Sequence, residues 1–129
     1  VQHFDWKGKN ILIVEDNPPS QRFLREVLKP TNAGLILAED GKQAIDLFKS
    51  HKQISLILLD IKLPNIDGLE VAKKIRSFDK NVPIIATTAY AMENDRKIAL
   101  NHGCNDYMAK PIDKELLLST IHSYIKKQD

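Results

Sequence analysis

The chain has a single cysteine, Cys104, among 129 residues. A lone thiol cannot close an internal disulfide or form a CxxC metal site, so the sequence fits a reducing compartment such as the cytoplasm, with Cys104 in a structural role. Long apolar runs are also missing. None exceeds four residues, as in Leu56-Ile57-Leu58-Leu59, whereas a membrane-spanning helix needs ~20, and the N-terminus shows no signal-peptide pattern. Nor is there much excess of one charge sign. Nineteen Lys and Arg face seventeen Asp and Glu, a formal +2, too near balance for the electrostatic footprint of a nucleic-acid binder. No glycine box for a nucleotide is present. His3, His51, His102 and His122 show neither HxH nor HxxxH spacing, which argues against zinc and for surface positions. Direct contact with nucleic acid or membrane is therefore not expected.

What is present is an ordinary globular composition, 43% hydrophobic and 28% charged, at about the modal size of one domain. Short β-rich apolar runs alternate with stretches of helical periodicity, the pattern of an α/β fold with a parallel sheet. Ile11-Leu12-Ile13-Val14 reads as the first strand and runs into Glu15-Asp16, then Asn17-Pro18-Pro19, which can open a helix with Phe23, Leu24, Val27 and Leu28 as its core stripe. Leu35 to Ala38 reads as a second strand, followed by a helix through Ala44, Ile45 and Phe48. Leu56 to Leu59, apolar on both faces as a central strand should be, delivers Asp60 at its carboxyl end. Asp67 and Glu70 form a capping-box-like pair ahead of Ala72 and Ile75. Val82 to Ala86 leads to Thr87-Thr88, a helix runs from about Ala91 to Gly103, and Tyr107-Met108-Ala109 makes a short last strand into Lys110-Pro111. The closing helix starts near Asp113 and packs through Leu117, Ile121 and Ile125. Residues 1–9 read as a tether on which Phe4 and Trp6 could dock, 10–127 as the domain and 128–129 as a tail.

In open parallel sheets, ligand chemistry gathers outside the carboxyl ends of the strands at a topological switch point. The ends of strands one, three, four and five supply Glu15 and Asp16, Asp60, Thr88, and Lys110. Three carboxylates within about 4 to 6 Å repel by roughly 3 to 4 kcal/mol per pair at an effective dielectric near 20, which invites a hard divalent cation. Mg²⁺, or Mn²⁺, fits such oxygen ligands and leaves part of its shell for a phosphoryl group. Asp60 can then act as a carboxylate nucleophile, with Lys110 neutralising charge and Thr88 donating to a phosphoryl oxygen.

The run Ile13-Val14-Glu15-Asp16-Asn17, the segment Leu59-Asp60-Ile61-Lys62-Leu63-Pro64-Asn65-Ile66-Asp67-Gly68, Thr88-Ala89, and Tyr107-Met108-Ala109-Lys110-Pro111 together resemble the receiver domain of two-component response regulators, over about residues 9–127. The resemblance implies a flavodoxin-like (βα)5 doubly wound parallel sheet with strand order 2-1-3-4-5. It makes Asp60 the phosphoacceptor, Asp16 a metal ligand, Glu15 the outer acid acting through water, and the Lys62 backbone carbonyl a further metal ligand. Thr88 matches the switch hydroxyl, Tyr107 the switch aromatic that swings inward on phosphorylation, and Lys110 the phosphate-contacting lysine before a cis-proline, Pro111. Glu15 stands where Asp is commoner, which implies a change of metal affinity rather than of function. Lys62 and Tyr90, both large, lie where the family tunes access of hydrolytic water, and imply a long-lived phosphorylated state. The implied output is a change of the surface of the fourth helix, fifth strand and fifth helix.

The expected donor is a histidine kinase or a histidine phosphotransfer protein, docking near Asp60 and the first helix at Ser20, Phe23 and Leu24. The domain would catalyse its own phosphorylation and dephosphorylation, and a monomer is expected in isolation. The lead-in Trp6-Lys7-Gly8-Lys9-Asn10 resembles receivers at the C-terminus of hybrid sensor histidine kinases more than a free regulator. The competing reading is a pseudo-receiver that docks proteins without being phosphorylated; the intact acid set argues against it. A flavin-binding domain would need a Ser/Thr/Gly-rich loop after the first strand, and a haloacid-dehalogenase-type phosphatase a DxD pair where Asp60-Ile61-Lys62 stands.

Overall fold

Side chains alternate across a strand, so runs that are apolar at every position must be covered on both faces, and the architecture meets that demand. The computed structural model describes residues 3–51, 53–64, 66–89 and 93–128. Strands β1 (Asn10–Val14), β2 (Gly34–Ala38), β3 (Ile54–Asp60), β4 (Ile84–Thr88) and β5 (Asp106–Ala109) alternate with helices α1 (Pro18–Leu28), α2 (Gly41–Ser50), α3 (Gly68–Phe78), α4 (Glu93–Asn101) and α5 (Lys114–Ile125). All strand pairs are parallel, in the order β2-β1-β3-β4-β5. This is the flavodoxin-like order, with its switch point between β1 and β3. No helix among the described residues is long and apolar enough to cross a membrane.

On one face, Leu12, Val14, Ile57, Leu59, Ile84 and Ala86 pack with Ala44 of α2, Val71, Ala72 and Ile75 of α3, and Ala99 of α4. On the other, Ile11, Ile13, Leu56, Leu58, Ile85 and Met108 meet Leu24, Val27 and Leu28 of α1 and Leu117, Leu118, Ile121 and Ile125 of α5. Each fully buried Leu or Ile contributes about 1.5–3 kcal/mol of transfer free energy. Cys104 is buried in the first cluster, and burial pushes its thiol up to about 11.

Local signals explain the starts of the helices. Asn17 accepts from Ser20 N at 3.0 Å ahead of Pro18 and Pro19, Asp40 accepts from Gln43 N at 2.8 Å, and Asp113 accepts from Glu115 N at 2.9 Å. Asp67 caps α3 as expected, but its bond goes to Leu69 N at 2.9 Å rather than pairing with Glu70. Gly103, with φ +102, closes the turn after α4 as its position predicts.

Two expectations need correction. Phe23 is 38% exposed: Leu24, Val27 and Leu28 already fill the i, i+3, i+4 stripe of α1, and Phe23 points about 100° away from Leu24. The lead-in reads as a tether on which Phe4 and Trp6 could dock; both do, and its described part is a packed strap. Trp6 is 3% exposed and sits in the α1–α5 core, its N–H donating to Thr31 O at 2.6 Å and its Nε1 to His122 Nδ1 at 3.2 Å. Phe4 lies against both rings, with centroids 5.5 Å from Trp6 and 4.5 Å from His122. His122 is therefore a packing residue and not a bare surface histidine, while His3 and His51 are exposed.

Truncating Trp6 removes a buried indole and leaves His122 without its donor. Trp6→Ala should lower the unfolding free energy by about 3–5 kcal/mol, read from urea denaturation. A loss below about 1 kcal/mol would mean that the strap only rests on the body.

Candidate functional site

The parallel registers determine which residues meet. Val14 pairs with Leu59, Asp60 with Thr87, and Thr88 with Ala109, so Glu15, Asp60, Thr88 and Lys110 emerge side by side at the carboxyl edge. Backbone bonds extend the ladder past the strands, with Ile61 N donating to Thr87 O at 3.0 Å and Lys110 N to Thr88 O at 2.7 Å. The Lys110–Pro111 peptide is cis.

One carboxylate oxygen from each of Glu15, Asp16 and Asp60 lies within 4.8 Å of the others. Glu15 and Asp60 are buried, 1% and 6% exposed, whereas Asp16 is exposed at the mouth. Lys110 Nζ donates to Glu15 Oε1 at 2.6 Å and to Asp60 Oδ2 at 3.4 Å. The second oxygen of each acid is held by backbone: Asn17 N donates to Glu15 Oε2 at 3.2 Å, and Lys62 N to Asp60 Oδ1 at 3.0 Å. Burial raises the Glu15 carboxyl above its ordinary value, with the Lys110 bond opposing and Asp60 reinforcing the rise. Burial alone would lower the Lys110 ammonium, but its bond to Glu15 and the charges of Asp60 and Glu15 outweigh that and raise it. Hard oxygen donors at this spacing suit Mg²⁺ or Mn²⁺.

Thr88 is 2% exposed. Tyr107 is 8% exposed and packs in the same cluster as Ala99 of α4 and Ala86 of β4. Burial, with the charge of Asp95, raises its phenol. Lys62 is exposed beside Asp60. Tyr90, the other residue assigned to water access, lies outside the described residues, as does Asn65 of the loop after β3. Ser20, Phe23 and Leu24 line a groove of about 240 Å³ that reaches Glu15 and Lys110 and is closed by Pro19, Pro111 and Ile112.

Some supporting residues escaped sequence reasoning. Gln21 Nε2 donates to the Glu15 carbonyl at 2.7 Å; its place one turn after Asn17 was the only available signal. Gly68 N donates to Ile61 O at 2.8 Å, and a Cβ at Gly68 would collide with the Asp60 carbonyl oxygen and Ile61 Cα. The absence of a side chain lets α3 begin directly beneath the end of β3. Arg76 bonds Gly103 O at 2.9 Å and Asn105 Oδ1 at 2.7 Å, tying α3 to the turn before β5.

An open parallel sheet that gathers three acids, a hydroxyl and a lysine at its switch point defines a site for a cation and an oxyanion. The chain belongs to the response regulator receiver domain family, whose family model matches residues 11–122, and is thus a receiver domain of two-component signalling. The polar-differentiation response regulator DivK of Brucella anthropi is 37% identical over 119 residues, covering 91% of this chain and 96% of that protein. The receiver domain of the sensor histidine kinase PA1611 from Pseudomonas aeruginosa, described with magnesium coordinated in its active-site cleft, superposes with TM-score 0.85 at 36% identity, covering 92% of this chain and 98% of that one. The co-crystal structure of the Saccharomyces cerevisiae phosphotransfer protein Ypd1 with the Ssk1 receiver domain contains a match with TM-score 0.87 at 35% identity, covering 93% of this chain and 90% of that one.

Adding one methyl at Gly68 forces the β3–α3 loop off Asp60. Gly68→Ala should cost about 1–3 kcal/mol of stability, the scale of overpacking a tight contact, measured by urea denaturation. An unchanged midpoint would show that the loop can move without resistance.

Proposed function

We propose that this receiver takes a phosphoryl group from a phosphohistidine onto Asp60, aided by Mg²⁺, and responds by remodelling its α4-β5-α5 surface. The observation that carries the reading is the meeting of Glu15, Asp16 and Asp60 oxygens within 4.8 Å, beside the Lys110 ammonium. An Asp60 carboxylate oxygen attacks phosphorus, the P–N bond to the donor histidine breaks, and an acyl phosphate forms. Asp16, Asp60 and the Lys62 backbone carbonyl would hold Mg²⁺ or Mn²⁺, with Glu15 as the outer acid, to neutralise charge on the phosphoryl oxygens. Lys110 contributes a second positive charge, and Thr88 a hydroxyl from the neighbouring strand end.

The donor, a histidine kinase or a histidine phosphotransfer protein, would dock on the groove beside α1. Its floor is apolar, Phe23 stands exposed at its rim, and it opens onto Glu15 and Lys110. The Ypd1–Ssk1 complex shows that a relative of this fold is recognised by a phosphotransfer protein. Phosphorylation adds up to about two negative charges at the strand ends. Thr88 and Tyr107 would relay the change to a face that already exposes Leu100 of α4 and Leu116 of α5.

Incubation with acetyl phosphate and Mg²⁺ should add a single phosphoryl mass that disappears with EDTA or in Asp60→Asn, read by intact-mass spectrometry. No adduct in folded protein from either acetyl phosphate or a phosphorylated histidine donor would instead favour a pseudo-receiver that serves only as a docking module. Ser20→Trp should slow transfer from a histidine donor on the order of tenfold, the scale of losing a central interface contact, and spare acetyl phosphate. Equal slowing of both would remove the docking role. The double variant Lys62→Asn, Tyr90→Glu should shorten the half-life of the adduct, and unchanged decay would show that these side chains do not screen water.

A further inference from the structure

Lys110 is not shared evenly. Its ammonium is 2.6 Å from Glu15 Oε1 and 3.4 Å from Asp60 Oδ2, so the shorter, stronger charge-assisted bond is the one to Glu15. Glu15 is itself held in place. It is 1% exposed, its second oxygen accepts from Asn17 N at 3.2 Å, and its carbonyl is gripped by Gln21 Nε2 at 2.7 Å. Asp16, by contrast, is exposed. An aspartate in place of Glu15 would draw the carboxylate back by about 1.5 Å, one carbon–carbon bond, and open the contact.

We propose that Glu15 is the positioning residue for Lys110: its longer arm holds the ammonium beside Asp60, so that the lysine is in place when a phosphoryl group arrives and the acceptor oxygens are left less committed to it. This rests on the receiver reading of the site and refines it, because the main duty of Glu15 becomes the lysine rather than the metal. A Glu15 that works through Lys110 matters for the phosphorylation rate even when metal is saturating, and stops mattering once Lys110 is gone.

Two measurements test this. The first is the ¹⁵N-detected signal of the Lys110 ammonium by NMR, without metal, in the unsubstituted protein, Glu15→Gln, Glu15→Asp and Asp60→Asn. The signal of a held ammonium should persist in Asp60→Asn, weaken in Glu15→Asp and vanish in Glu15→Gln; persistence in Glu15→Gln with loss in Asp60→Asn would overturn the assignment. The second is the acetyl phosphate reaction at saturating Mg²⁺, with Mg²⁺ affinity measured separately by calorimetry. Glu15→Gln should slow phosphorylation on the order of tenfold while shifting Mg²⁺ affinity by less than about threefold, and add no slowing in a Lys110→Met background, the non-additivity of neighbours acting as one unit. A slowdown that saturating Mg²⁺ abolishes, or that repeats in full without Lys110, would make Glu15 a metal residue instead. Failure of the unsubstituted protein to form any adduct would count against the receiver reading, and the NMR comparison would still judge Glu15 by itself.

Discussion

Three carboxylates brought within 4.8 Å of one another impose the constraint on which this structure turns. Left alone, each pair repels by about 3 kcal/mol at an effective dielectric near 20, and burial adds its own penalty to Glu15. The sheet therefore has to be stiff enough to hold the acids in place, and something positive has to sit among them. Stiffness comes from β1 and β3, whose side chains are buried on both faces. The positive charge comes from Lys110, delivered from the far edge by the register that sets Thr88 against Ala109. The architecture and the chemistry are thus one problem, since moving a strand by one residue would shift its end by about 3.3 Å and turn the end side chain to the opposite face, separating the acids.

Much of this was legible in the residues. The unalternating runs at Ile11 to Val14 and Leu56 to Leu59 could only belong to central strands with helices on both sides, and strands of that kind place their next residues at the switch point. Glu15, Asp16, Asp60, Thr88 and Lys110 stand out because each lies within two residues of the end of a short apolar run. The strand order was different in kind. Alternation of strands and helices permits several parallel orders, and the particular one followed from resemblance to receiver domains.

What escaped the sequence were contacts between distant residues. Periodicity placed Phe23 inward because a stripe four residues wide fits as well as one three wide, and only the packing of α1 against β1 and α5 decides between them. The sequence allows Phe4 and Trp6 to dock but cannot say where, because two aromatics in a short polar lead-in carry no periodicity; the partners of Trp6, Thr31 and His122, lie 25 and 116 positions away. The preference of Lys110 for Glu15 over Asp60 was hidden for the same reason. A sequence shows that Glu has one methylene more than Asp, but which carboxylate a lysine reaches depends on where two strand ends stand.

The same packing bears on which element would answer a new charge at Asp60. α3 buries Gly68, Val71, Ala72 and Ile75, and α5 buries Leu117, Leu118, Ile121 and Ile125, whereas Ala99 is the one buried side chain among the described residues of α4. Segments with few buried apolar contacts open most readily, so α4 is held by far less than its neighbours. It is joined to β5 by the Arg96–Asp106 pair at 3.9 Å, and Asp106 is joined to α5 by the Tyr124 hydroxyl at 3.2 Å. Tyr107 follows Asp106 in β5 and is buried in the core cluster that includes Ala99 of α4. A switch needs an element whose two arrangements differ by only a few kcal/mol, within reach of a doubly charged group. The lightly anchored α4, next to the strand end that carries Thr88 and linked through the Arg96–Asp106 ion pair and the Tyr124 hydroxyl to β5 and α5, is where the physical conditions for the proposed remodelling are met.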